Sequence, residues 1–73
     1  MNEQALLADA AGNKDPAIGL RSVRALRELA ERLESLQVGN ARRQGWSWQS
    51  IAVLLGVSKQ AVHKKHRYVD KES

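Results

Sequence analysis

The chain has 73 residues, a net charge of +4 and no cysteine, so it is expected to form one small domain that buries only about 60–65% of its unfolded surface. Disulfides and a thiolate zinc site are excluded, and two histidines, His63 and His66, without a carboxylate at ligand spacing do not make a metal site. The charge is uneven: residues 1–39 hold five Lys/Arg against six Asp/Glu, whereas residues 40–73 hold seven against two, so the second half is the basic one.

Residues 1–14 read as a flexible tail with one or two weak helical turns in Gln4-Ala5-Leu6-Leu7-Ala8, ended by Gly12-Asn13. Met1-Asn2-Glu3 lacks the positive start of a signal peptide, and Asp9 interrupts the apolar run. No stretch approaches transmembrane length. A cytoplasmic protein in contact with the nucleoid is expected.

Asp15-Pro16 is a helix start, because aspartate can cap and proline at the first helical position gives up an N–H that had no partner. The helical pattern then runs over residues 15–44, with Gly45 as the stop, a rod of about 43 Å at about 1.5 Å per residue. Leu26, Leu29, Leu33 and Leu36 recur at three, four and three, the spacing of a coiled-coil seam, and Glu28 with Arg32 makes a favourable i, i+4 pair. This helix is expected to pair with its copy in a homodimer; the alternative is that the leucines cover the C-terminal helices of their own chain. Gly39-Asn40 is its weak point, where a bend or break is expected, since glycine costs about 1 kcal/mol relative to alanine inside a helix. Val38 and Ala41 are expected to face the C-terminal core, and Arg42 and Arg43 either to be solvated or to approach a phosphate backbone.

Residues 45–69 read as a helix-turn-helix. Ser47 caps a short helix with apolar residues at Trp48, Ile51, Ala52, Leu54 and Leu55, Gly56 stops it, and Ser58 caps the next. Ala52 is small enough for two helices to approach, and Ile51, Leu55, Val57 and Val62 are expected to fill the wedge between them. Trp46 and Trp48 are expected to close this small core rather than to serve as stacking platforms for single-stranded bases. Lys59, Gln60, His63, Lys64 and Arg67 recur at three and four, so they share one outward face. An amide there suits adenine, and lysines suit guanine or phosphate. An ordinary solvated helix face is the competing reading of these five residues alone. Residues 70–73 read as a frayed tail.

Trp46-Ser47-Trp48-Gln49-x-Ile51-Ala52-x-x-Leu55-Gly56-Val57-Ser58-x-Gln60-Ala61-Val62-His63-Lys64-Lys65 resembles the helix-turn-helix of small actinobacterial DNA-binding proteins. It is more distantly similar to the DNA-reading region of sigma factors. In length and layout the chain resembles the small nucleoid-associated proteins of streptomycetes, a resemblance that implies GATC as the site. One departure stands out: Lys65 and His66 occupy the turn after Val62, where a hydrophobe is common, leaving Tyr68 or Val69 to pin the helix.

The expectation is therefore an all-α protein, a long N-terminal dimerising helix followed by a helix-turn-helix, that binds double-stranded DNA as a homodimer. Ser58, Lys59, Gln60, His63, Lys64 and Arg67 would enter the major groove, Ser47, Trp48 and Gln49 would hold a phosphate at a helix N-terminus, and Arg43 would approach the backbone. No catalytic constellation, cofactor, metal, membrane segment or small-molecule ligand is indicated. The rival class is a helical interaction module that docks on RNA polymerase or another regulator.

Overall fold

The structure, a computed structural model, describes residues 2–71, Lys71 by its main chain only. It is all-α: among the described residues there are four α-helices and no strand. They are α1 (Glu3–Gly12), α2 (Pro16–Arg43), α3 (Trp48–Leu55) and α4 (Lys59–His66), followed by a 3-10 helix, Arg67–Lys71. The chain divides into two compact units, Met1–Leu33 and Glu34–Ser73.

In the first unit, α1 is longer than the one or two turns expected of a flexible tail. Asn2 Oδ1 accepts from Ala5 N at 2.8 Å, which caps a run rich in alanine and leucine, the strongest helix formers. Leu6 is buried while Leu7 remains exposed, so α1 contributes a single apolar anchor. Asn13 Oδ1 then accepts from Asp15 N at 2.8 Å, and Asp15 Oδ1 from Ala17 N at 3.0 Å, chaining the turn to the start of α2. Ser22 is buried and donates its hydroxyl to Ile18 O at 3.0 Å, so its polar atom is satisfied within the helix.

The second unit holds the core. Val38, from the last turns of α2, packs with Trp48, Ile51 and Ala52 of α3 and Val62 of α4, with Ala41 and Val69 at its edge. Burying each of these aliphatic side chains stabilises by about 1.5–3 kcal/mol for the larger ones. Helix α2 runs unbroken through Gly39, where a bend or break was expected. Both α2 and α3 end in the same way. Gly45 at φ 85° lets Trp46 N reach Ala41 O at 2.9 Å, and Gly56 at φ 73° lets Val57 N reach Ala52 O at 3.1 Å. These six-to-one bonds satisfy orphan carbonyls and need the left-handed backbone that glycine supplies.

The wedge expected between the last two helices is narrower than the sequence implied. Ile51 and Val62 fill it, but Leu55 and Val57 are 40% and 47% exposed. A helix of eight residues buries one stripe, here Trp48, Ile51 and Ala52, and Leu55 at the next turn falls at its margin. Trp48 is core as expected; Trp46 is exposed, because the reversal at Gly45 carries it past the packed layer. Residue 70 does not fray as expected, since Asp70 is bonded to Arg42; residues 72 and 73 lie outside the described residues. No helix among the described residues is long and apolar enough to cross a membrane.

Candidate nucleic-acid interface

Helix α4 is where the basic half of the chain concentrates its donors. Ser58 Oγ accepts from Ala61 N at 3.1 Å and so fixes the first turn. Val62 and His66, four residues apart, are the buried positions of the helix. Lys59, Gln60, His63, Lys64 and Arg67 are all exposed. The side chains of Lys59, Gln60, Lys64 and Arg67 have no hydrogen bond or ion pair among the described residues.

The helix is pinned from behind by a polar tie that was not anticipated. His66 is 1% exposed, and its Nε2 lies 2.6 Å from Glu34 Oε2 on α2. Lys65 Nζ reaches the same oxygen at 3.0 Å. The hydrogen bond from His66 holds the Glu34 carboxyl below its ordinary value, against the opposing effect of burial, and Lys65 lowers it further. His66 Nδ1 is buried and has no partner among the described residues. His66 thus takes the place where a hydrophobe was expected, and Val69 packs on the core edge as anticipated. The signal was present in the spacing: His66 follows Val62 by four, and Glu34 precedes Val38 by four, so both share the buried faces of their helices.

At the other end of the unit, Arg42 does more than a solvated cation would. Its Nε donates to Asp70 Oδ1 at 2.9 Å, its Nη1 donates to Trp46 O at 2.6 Å, and its guanidinium lies 4.8 Å from the centroid of the Trp48 ring. The edge of the same indole meets His63, with ring centroids 5.2 Å apart and the planes 75° to one another. His63 is therefore on the outward face but its ring is already engaged, while Trp48 is interior and offers the interface no aromatic platform. The Arg42 hydrogen bond holds the Asp70 carboxyl below its ordinary value.

No family model, curated protein or solved structure matches the chain. Its residues alone carry the functional reading.

Of the residues expected at the interface, Lys59, Gln60, Lys64 and Arg67 are brought together on one face by α4. Arg67 stands where α4 passes into the 3-10 helix. Ser58 and Ser47 spend their hydroxyl oxygens as caps, the latter accepting from Ser50 N at 3.0 Å. Gln49 is exposed on the first turn of α3. Arg43 is exposed, and its guanidinium donates to Asn40 Oδ1 on its own helix. Arg42 and Arg43 were expected chiefly as a solvated pair; Arg42 is instead held by Asp70, Trp46 O and the Trp48 ring.

Proposed function

We propose that this protein binds duplex DNA with a sequence preference, α4 lying in the major groove, and acts as a nucleoid-associated or broadly acting transcription regulator. The observation that carries this is the outward face of α4: three cations and an amide with no partners among the described residues, on a helix locked from behind by Val62 and His66. Gln60 has the donor and acceptor pair that reads adenine, Lys59 and Lys64 suit guanine or phosphate, and Arg67 suits either. The resemblance to GATC-binding proteins makes GATC the first site to try. A homodimer fits the leucines of α2, of which Leu33 and Leu36 are 52% and 55% exposed.

The test is a binding titration on duplexes with and without GATC. Replacing Gln60 with alanine should cost about 1–3 kcal/mol on the preferred site and little on random duplex. Equal weakening on both would refute base reading by Gln60. Affinity should also fall with salt, with a log–log slope of about −0.9 per phosphate contact.

A second reading has one observation of its own. A groove of about 220 Å³ in the second unit is lined by Val38, Ala41, Trp46, Ile51, Leu54 and Leu55 under a rim of Gln37, Asn40 and Gln44. An interaction module whose basic face meets an acidic surface of RNA polymerase or another regulator could also use this groove. Such a module should bind a heparin-like polyanion and duplex DNA without preference, and a DNA reader should prefer the duplex.

A further inference from the structure

Between Ser35 and Lys71 the sequence carries seven Lys/Arg and a single carboxylate, Asp70. That lone acid is placed on a guanidinium: Asp70 Oδ1 accepts from Arg42 Nε at 2.9 Å across 28 residues of sequence. The pair lies at the surface, with side chains 28% and 41% exposed for Arg42 and Asp70. It is also next to the proposed reading face, because Arg42 and His63 touch the same Trp48 indole. Arg42 cannot swing away to solvent without giving up both that ring and its bond to Trp46 O. It is thus a pre-oriented fork, and a fork of this kind pairs with carboxylate and phosphate alike.

We propose that Asp70 occupies on Arg42 the place of a DNA phosphate, and that duplex binding exchanges the carboxylate for the phosphate. The inference rests on the reading of this protein as a DNA binder and adds to it a backbone contact and an intramolecular competitor. Asp70 is kept in its charged form by the Arg42 hydrogen bond, so carboxylate and phosphate present the same sign of charge to the guanidinium at neutral pH. The pair is partly exposed, so a backbone phosphate can reach the guanidinium and displace the carboxylate, which gives up its bond to Arg42 although Asp70 is also held by Trp48. Asp70 lies in the short 3-10 helix Arg67–Lys71, and the exchange moves its side chain off Arg42 while Val69 of the same helix keeps its place at the core edge.

The experiment is a salt titration of the full chain on a duplex oligonucleotide, for the wild type, Asp70→Asn, Arg42→Gln and the double variant. Asp70→Asn is expected to bind more tightly, by up to about fivefold, because no ion pair has to be broken. Arg42→Gln is expected to flatten the log–log salt slope by about 0.9, one phosphate contact. In the Arg42→Gln background, Asp70→Asn should give little or no gain. Arg42→Lys keeps the charge while shortening the side chain, so retention of the wild-type slope by this variant separates loss of a phosphate contact from damage to the packing around Trp48. A slope unchanged by Arg42→Gln overturns the proposal. So does an equal gain from Asp70→Asn in both backgrounds, which would mean bulk charge and not competition for Arg42. Wild-type protein that fails to bind the duplex removes the DNA-binding reading itself, a result seen before any variant is compared.

Discussion

Removing the Glu34 carboxylate is the most informative change to the fold that holds α4 and its proposed reading face. The Glu34→Ala substitution takes away the partner of His66 Nε2, a group 1% exposed, whose other ring nitrogen already has none among the described residues. A buried donor left unsatisfied costs about 1–3 kcal/mol. The accompanying loss of Lys65, whose own side chain is half in solvent, adds no more than a few tenths of a kcal/mol to about 1 kcal/mol. Glu34→Ala should therefore destabilise the second unit by about 1–3 kcal/mol, Lys65→Ala by no more than about 1 kcal/mol, and Glu34→Gln by less than Glu34→Ala, since its amide oxygen can still accept. The assay is urea unfolding followed by tryptophan fluorescence, because Trp46 and Trp48 both belong to this unit.

Acid gives an independent check on the same pair. Glu34 has its folded value lowered, chiefly by His66. Its ionised form thus contributes stability that is fully present above the ordinary carboxylate range, about 4.3, and is lost as pH falls through the folded value. The stability difference between wild type and Glu34→Gln should shrink between about pH 6 and about pH 3. Equal costs for Glu34→Ala and Lys65→Ala at neutral pH would show that the His66 bond is not what holds α4, and the reasoning would fail.

Two further changes probe the turn and the helix contact. Gly56→Ala places a Cβ at φ 73° with nothing within 4 Å of it, so the cost is conformational alone, about 1–2 kcal/mol, read from the urea midpoint. Ala52→Leu inserts a large side chain at a buried position where α3 meets the rest of the core, and should cost about 1–3 kcal/mol or leave the unit expanded, visible as an altered denaturant slope.

The helices were legible because their ends are written in local chemistry. Ser47, Gly56 and Ser58 each do the job that their residue type implies, and Pro16 opens α2 next to Asp15. Helix α1 was underread because an alanine-rich segment with one buried leucine has no amphipathic stripe to announce it, only a cap at Asn2. Leu55 and Val57 were overread because periodicity marks a face without saying how far a two-turn helix can press it into a small core. Arg42 and Asp70 could not be paired from sequence, since their 28-residue separation is bridged only once the 3-10 helix is folded back. Glu34 and His66 could have been, by treating a polar residue at core spacing as buried with a partner instead of as an interruption.

Glu34, Val38 and Arg42 are four residues apart along α2 and so form one stripe, and each meets a different piece of the second unit. Glu34 holds the end of α4 through His66, Val38 enters the apolar cluster, and Arg42 holds the 3-10 helix through Asp70. Five buried side chains leave little to specify orientation, and an apolar contact is non-directional. The polar ties at either end of the stripe supply the direction: one fixes how the back of α4 is seated, the other how the chain beyond it returns. A loss at Val38 should then lower stability without moving the reading face. A loss at Glu34 should let α4 tilt, and on the proposed function that reduces discrimination between the preferred site and random duplex more than it reduces affinity for either.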